Sequence, residues 1–297
     1  MTPPTTFIRI AGPTRYDTAV ALARASFSTS PTVFLATGED FPDALAAGAV
    51  AGATGAPLLL TRSDRLLEAV AEELVRLAPD RVVVVGSSAA ISTSVEAAVQ
   101  RRTRARVDRL GGRDRYATAV AVGDLLTTPQ HEVFVVSGEN FPDATAAAAA
   151  AAHRGASMVL TRRGRLPGSS WEALARRNPA TVTLVGGPDV ISPAVAEEIS
   201  ARLRPARVRR VTGSNRYATA AAVAHEVWPD GSARAVLATG ENFPDALAAG
   251  PAAALVGGPV LLTRARWVPS QTTTALTTHG TVECAVAGGA DVALAPA

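Results

Sequence analysis

Three copies of one acidic phrase carry the residues best suited to chemistry. The phrase is GEDFPDA at residues 38–44 and GENFPDA at residues 138–144 and 240–246. Each copy holds two carboxylates four residues apart, Glu39 and Asp43 in the first. Such a pair can accept hydrogen bonds from sugar hydroxyls, form ion pairs with arginine, or hold a divalent cation.

The rest of the phrase is typical of a helix start. Asp40, Asn140 and Asn242 are candidate N-caps, and the aspartate three residues on would complete a capping box. The intervening proline would fall in the first turn, where its missing N–H costs nothing. The glutamates have no such explanation, so an ion pair, a ligand contact and a metal site all stay open for them. The carboxylates singled out are Glu39, Asp43, Glu139, Asp143, Glu241 and Asp245.

Arginine recurs at two further places in each copy. One arginine precedes a tyrosine and follows Thr14, Asp114 or Asn215, all favoured N-caps, so it should lie in the first turn of a helix. A cation there opposes the helix dipole. Either it forms an anion pocket with the free N–H groups, or it pairs with the glutamate or aspartate of its own unit. The first set is Arg15, Arg115 and Arg216, and the second set, after the Thr of an apolar strand, is Arg62, Arg162 and Arg264.

Catalytic machinery is hard to assemble from these residues. None of the four histidines lies in a repeated phrase, and no nucleophile elbow, zinc spacing or phosphate-binding loop is present in the sequence. The alternative is a metal-assisted hydrolase built on Glu39 and Asp43, which would need its active site three times. Triplication is easier to understand as multivalent binding. We predict a protein that is not an enzyme, with no catalytic residue, metal or cofactor.

The whole chain is built from three repeats of about a hundred residues. RIAGPTRYDTAVALA, RLGGRDRYATAVAVG and RVTGSNRYATAAAVA open them, and APLLLTR, ASMVLTR and GPVLLTR follow the acidic phrase. We define the first unit as residues 7–106, the second as 107–207 and the third as 208–297. The third has no counterpart of SPAVAEEISARL, the segment predicted to be the closing helix of the second.

Short apolar runs alternate with helical patterns in every unit. VFLATG, PLLLT and RVVVVG are typical of strands buried on both faces, and RLLEAVAEELVRLA has helical periodicity. This alternation predicts an α/β fold with three tandem parallel-sheet units, Rossmann-like or Toprim-like. No flexible linker separates the units, so we expect a compact pseudo-threefold arrangement with the small-residue helix at 44–53 near its centre.

Composition narrows the classes of partner. All 29 basic residues are arginine, the net charge is only +3, and no basic block occurs, so nucleic acid is not an expected partner. No segment has the length and hydropathy of a membrane span, so membrane insertion is not expected. The opening MTPPTT shows no signal peptide, and the single cysteine permits no internal disulfide.

Taken together, R(I/L/V)xGxxRYxTA, GExFPDA, P(L/V)LLT and VVGGxxxIS resemble the bacterial cell wall binding repeat 2 family, over nearly the whole chain. The resemblance implies a non-catalytic anchoring module of Gram-positive surface proteins. It further implies an extracellular, cell-wall-associated location and an anionic wall polymer or peptidoglycan-linked glycan as partner. The attached effector domain would lie outside this chain.

Overall fold

A computed structural model of the protein describes residues 5–242 and 244–295, and all structural statements concern these. The strands are β1 Thr6–Ile10, β2 Thr32–Thr37, β3 Leu58–Thr61, β4 Arg81–Val85, β5 Arg106–Leu110, β6 Glu132–Ser137, β7 Ser157–Thr161, β8 Thr181–Val185, β9 Arg207–Val211, β10 Arg234–Thr239, β11 Val260–Thr263 and β12 Glu283–Ala287. The helices are α1 Arg15–Ser26, α2 Pro42–Ala53, α3 Glu68–Leu77, α4 Thr93–Arg102, α5 Arg115–Gly123, α6 Pro142–His153, α7 Gly168–Arg177, α8 Pro193–Arg202, α9 Arg216–Val227, α10 Pro244–Leu247, α11 Ala249–Val256 and α12 Ser270–Thr278.

The strands form three parallel sheets of four strands each. The orders are β3-β2-β4-β5, β7-β6-β8-β9 and β11-β10-β12-β1. The central strands are buried on both faces, as their uninterrupted apolar sequences require; β4, for example, is fully buried from Val82 to Val85. The predicted α/β class with three parallel-sheet units is therefore confirmed.

The sheets are offset from the sequence repeats by one strand. β5 and β9 each begin a repeat but pair with the last strand of the preceding one. β1 takes the same position in the third sheet, where Thr6 pairs with Glu283 and Ile10 with Ala287. Consecutive units therefore share sheets. No helix equivalent to α4 or α8 follows β12 among the described residues, which continue to 295.

Small-residue helices bring the three sheets together. α2, α6 and α11 pack against one another, and one core cluster contains their alanines together with strand residues of all three sheets. At the centre a Cβ added to Gly52 would lie 2.6 Å from the Ala152 Cβ and 2.9 Å from the Ala254 Cβ. The expected position of the 44–53 helix is confirmed, and three positions occupied by Gly or Ala set how closely the helices approach.

The predicted caps at the first two acidic phrases are wrong, whereas in the third the residue directly before α10 lies outside the described residues. α2 and α6 begin at the proline as expected, but the residue preceding each is Phe41 or Phe141, and neither helix has a side-chain cap. Asp40 and Asn140 instead accept a hydrogen bond from the N–H of the following phenylalanine. Asp43 does not complete a capping box because its carboxylate is directed to a different unit, as described below. Within the described ranges, no helix is long and apolar enough to cross a membrane.

Candidate functional site

The helices that begin with Arg-Tyr are capped as the sequence predicts. The side chains of Thr14, Asp114 and Asn215 accept backbone N–H hydrogen bonds from the first turns of α1, α5 and α9. Capping places the following arginine at the carboxyl edge of the sheet. This edge is where open α/β sheets bind ligands.

A backbone carbonyl of the acidic phrase holds each of these arginines. Arg15 Nη1 donates to the Gly38 carbonyl oxygen at 2.8 Å, and Arg115 Nη1 donates to that of Gly138 at the same distance. Arg216 makes the equivalent bond to Gly240. The phrase therefore positions the guanidinium through its backbone. Its glycine also leaves room for the tyrosine ring of the preceding helix, because a Cβ on Gly38 would lie 2.6 Å from the Tyr16 ring.

The carboxylate partners of these arginines lie in the neighbouring unit. Arg115 Nη2 lies 3.5 Å from Asp40 Oδ2 of the first unit, and its charge also acts on Asp43. Arg216 acts on Asp143 in the same way, and Arg15 on Asp245. The interpretation that paired each arginine with a carboxylate of its own unit is wrong. The backbone carbonyl of the phrase's glycine accepts the hydrogen bond in its own unit, and the start of the arginine's helix faces the neighbouring unit.

A threonine of the next unit completes each junction. Thr118 lowers the pKa of Asp43, and Thr219 and Thr18 act in the same direction on Asp143 and Asp245. Each threonine hydroxyl also accepts a backbone N–H from the loop before its helix, for example from Gly112 at 3.0 Å. These threonines belong to the repeated RYxTA motif, so the repetition itself was a signal for them that the sequence analysis did not use.

A glycine with positive φ packs against each aspartate. Gly86 follows β4 with φ +107°, and a Cβ there would lie 2.6 Å from Asp43 Oδ2. Gly186 and Gly288 follow β8 and β12 with φ +124° and +106°, each with 3.0 Å to the equivalent carboxylate. Only glycine combines this backbone conformation with such a close approach.

Burial of these aspartates changes their acidity. The pKa of Asp43 is raised to about 6, chiefly by desolvation and also by nearby Asp40, against the opposing effects of Arg115 and Thr118. Desolvation also raises the pKa of Asp143 and Asp245. Asp43 Oδ1 and Asp245 Oδ1 are buried without a hydrogen-bond partner. A carboxyl in such a site is poised to hold a proton in mildly acidic solution.

The glutamates pair with the second set of arginines. The Nη–Oε distances are 3.5 Å for Arg62 and Glu39, 3.7 Å for Arg162 and Glu139, and 3.3 Å for Arg264 and Glu241. These side chains are between a third and a half exposed, so each pair contributes at most about 1 kcal/mol. The glutamates do form ion pairs, but with the arginine after the strand and not with the helix arginine expected from the sequence.

Three grooves open where the units meet. The first groove, between the first and second units, has a volume of about 390 Å³ and contains Asp43, Arg115 and Thr118. The second groove, between the second and third units, has the same volume and equivalent residues, Asp143, Arg216 and Thr219. The third groove, between the third and first units, measures about 550 Å³ and adds Arg62 and Glu39 to Asp245, Arg15 and Thr18. Glu139, Arg162, Glu241 and Arg264 lie outside the lining of all three.

Carboxylates outnumber arginines in these grooves. In the first groove two arginines meet four acidic residues: Arg113, Arg115, Glu39, Asp40, Asp43 and Asp114. Arginine donates hydrogen bonds to phosphate or carboxylate, whereas carboxylates accept them from hydroxyls. The lining therefore offers both hydrogen-bond donors for anions and acceptors for hydroxyl groups. Across the described ranges, no cluster of three or more His, Cys, Asp or Glu could hold a metal ion.

One further set of arginines was missed. Arg109 donates to the carbonyl oxygens of Gly86 at 2.8 Å and Ile91 at 2.6 Å, fastening the loop after β4 to the edge strand β5. Arg210 and Arg9 make the equivalent bond to Gly186 and Gly288. This arginine lies at the start of every repeat. It comes close to the glycine loop because the first strand of each repeat joins the sheet that contains that loop.

The fold and its three equivalent junctions define a repeat-built α/β module with composite grooves between its units. The chain belongs to the cell wall binding domain 2 (CWB2) family, which matches residues 9–96, 109–196 and 210–293. The protein is therefore a cell wall binding module associated with the cell surface. The recognition made from the sequence motifs is confirmed.

Two relatives from Bacillus subtilis (strain 168) match most of the chain. One is the N-acetylmuramoyl-L-alanine amidase LytC, 27% identical over 255 residues, which are 86% of this chain and 50% of the amidase. The other is an amidase enhancer, 26% identical over 262 residues, which are 88% of this chain and 35% of the enhancer. The chain spans half or less of the length of these relatives.

Two solved structures share the architecture. Cwp6 from Clostridium difficile superposes with a TM-score of 0.89 at 23% identity, covering 97% of this chain and 46% of Cwp6. Cwp8 from the same organism gives a TM-score of 0.85 at 24% identity, covering 96% and 50%. At these identities the likeness concerns the fold, and it confirms the compact assembly of three units.

Proposed function

We propose that the module anchors a surface protein outside the cell by binding an anionic, hydroxyl-bearing wall polymer in its three grooves, without catalysis. The observation that carries this proposal is the threefold recurrence of one arrangement, in which an arginine at a helix start faces an aspartate of the preceding unit. A purely structural junction would not need to keep its charged groups in an open groove.

Three grooves on one rigid body suit a repeating ligand. Each groove brings few charges, so a single contact should be weak. A polymer that reaches a second groove binds it at high effective concentration, so avidity exceeds the affinity of each site. The relatives named amidase and amidase enhancer support a role as the attachment part of a larger wall protein.

Co-sedimentation with purified cell-wall sacculi tests this function. We expect the wild-type protein to bind intact sacculi, to bind less as salt rises, and to bind poorly after phosphate-linked polymers are removed. The double variant Arg115→Gln, Arg216→Gln should lose roughly tenfold or more in affinity, about 1.4 kcal/mol. The matched control is Arg104→Gln, which changes an exposed arginine before β5, at the opposite edge of the sheet.

Two results would contradict the proposal. Equal binding to intact and stripped sacculi would exclude a phosphate-linked polymer as the ligand. Equal binding by the double variant and the Arg104 control would remove the groove arginines from the site. Counterion release, described for proteins that bind nucleic acids, should make binding to an anionic wall polymer depend on salt in the same way.

A further inference from the structure

The third unit carries an exposed tryptophan that its two sister units lack. In the loops after β3, β7 and β11, the fourth residue past the repeated threonine is Arg65, Arg165 or Trp267. Trp267 is 51% exposed. Nothing in the fold requires an aromatic ring there, since the equivalent arginines occupy the same position.

Charged groups hold this ring near Tyr217, the residue that follows the arginine of the second groove. The Arg264 guanidinium carbon lies 4.8 Å from the Trp267 ring centroid and 5.3 Å from that of Tyr217. Tyr217 directly follows Arg216, the arginine that lines the second groove. Glu241 fixes the arrangement from the other side, by its 3.3 Å contact with Arg264 and by accepting the Ala265 N–H at 3.0 Å. The arginine is thus fixed between two rings, and the outer ring remains half uncovered.

The size and charge of this surface point to one class of ligand. The uncovered part of Trp267 is roughly 100 Å², half of what a large aromatic side chain buries. A surface of this size can be covered by one face of a hexose ring. The apolar face of a sugar can stack on the indole, while Arg264 and the exposed Arg266 are placed to meet a phosphate or carboxylate on the same or the next residue.

We infer that Trp267 and Arg264 form a sugar-stacking subsite beside the second groove, which selects wall polymers that carry pyranose rings next to their anionic groups. This inference rests on the proposed function and adds specificity to it. The first and second units, with arginine at the equivalent position, would bind the same polymer without a stacking ring. The module therefore distinguishes a glycosylated polymer from the same polymer without sugars at one of its three sites.

Two defined probes test the subsite: poly(glycerol phosphate) without sugars and the same polymer bearing N-acetylglucosamine. Affinities are measured by titration calorimetry, with melting temperatures to confirm folding. The wild-type protein should prefer the glycosylated polymer by roughly two- to tenfold, the range given by 0.5–1.5 kcal/mol at 1.4 kcal/mol per tenfold. Trp267→Arg, which installs the residue of the other two units, should abolish the preference. Trp267→Phe should retain most of it.

The opposite effects of Trp267→Arg make the test decisive. The substitution adds positive charge, so affinity for the bare polymer should stay equal or rise. Equal losses on both polymers, an unchanged preference in Trp267→Arg, or no binding of the glycosylated polymer by the wild type would each overturn the subsite. The anchoring function is tested separately by sacculus binding of the groove-arginine variant, so failure of one is distinguishable from failure of the other.

Discussion

Replacing Asp43 by asparagine should stabilise the protein at neutral pH and leave it nearly unchanged in acid. Burial raises the pKa of Asp43 from 3.8 to about 6. At about 1.4 kcal/mol per pH unit, ionising this carboxyl in the folded state costs at most about 3 kcal/mol. Asparagine keeps the shape and removes that cost.

The direction of the pH dependence follows from the raised pKa. The folded protein binds the Asp43 proton more tightly than the unfolded chain, so this stabilisation is complete below about pH 3.8 and is lost as the pH rises through about 6. The free energy of unfolding of Asp43→Asn minus that of the wild type should therefore be smallest near pH 4. By pH 7 it should have grown by up to about 3 kcal/mol.

Guanidinium unfolding curves at half-unit steps from pH 4 to 8 measure this difference. Taking the difference cancels most of the contributions of the other titrating groups. Asp230→Asn serves as the control, because Asp230 is an exposed loop aspartate whose removal changes the net charge equally. A difference that is constant across the range, or one that decreases towards neutral pH, would show that Asp43 is not held in a desolvated site.

Three further outcomes follow from the junctions and the central contacts. Gly86→Ala should lose at least about 2 kcal/mol of unfolding free energy, because its Cβ would lie 2.6 Å from the Asp43 carboxylate, whereas Gly155→Ala, also at positive φ but in open space, should lose only about 1 kcal/mol; equal losses would exclude the clash. Gly52→Val should cost about 1–3 kcal/mol or more by overpacking the three central helices, and a melting temperature equal to wild type would contradict the central packing. Thr118→Val should raise the pKa of Asp43 further, since it removes the hydroxyl that lowers it, and an unchanged titration of the Asp43 carboxyl ¹³C shift by NMR would exclude that effect.

The local features of the fold could be predicted from the sequence. Thr14, Asp114 and Asn215 are the caps they were expected to be, because a cap depends on residues within one turn. Continuous apolar runs identified the buried strands for the same reason. The small-residue helix at 44–53 could be placed at the centre because only Gly and Ala permit such close approach.

The partners across unit boundaries could not be predicted. Repetition shows that Arg115 and Asp43 have equivalents, but it cannot show that the arginine of one unit meets the aspartate of the unit before it. That pairing depends on β5 joining the sheet of the preceding repeat, a long-range contact with no local signature. The capping box predicted at Asp43 does not form, although its local pattern is present in the sequence. The Asp43 carboxylate lies against Gly86 and is influenced by Thr118 of the second unit.

The pairing of β1 with β12 has a consequence for the order in which the protein can fold. Thr6 and Glu283 are neighbours in the third sheet, although nearly the whole chain separates them, and Arg9 bonds the carbonyls of Gly288 and Ala293. The first sheet can assemble once β5 has left the ribosome, and the second once β9 has followed. β1 must wait as an unpaired edge until β12 is made, so the last contact to form has the highest contact order and closes the largest loop. During translation, β1 therefore remains without its partner strand until β12 has been synthesised.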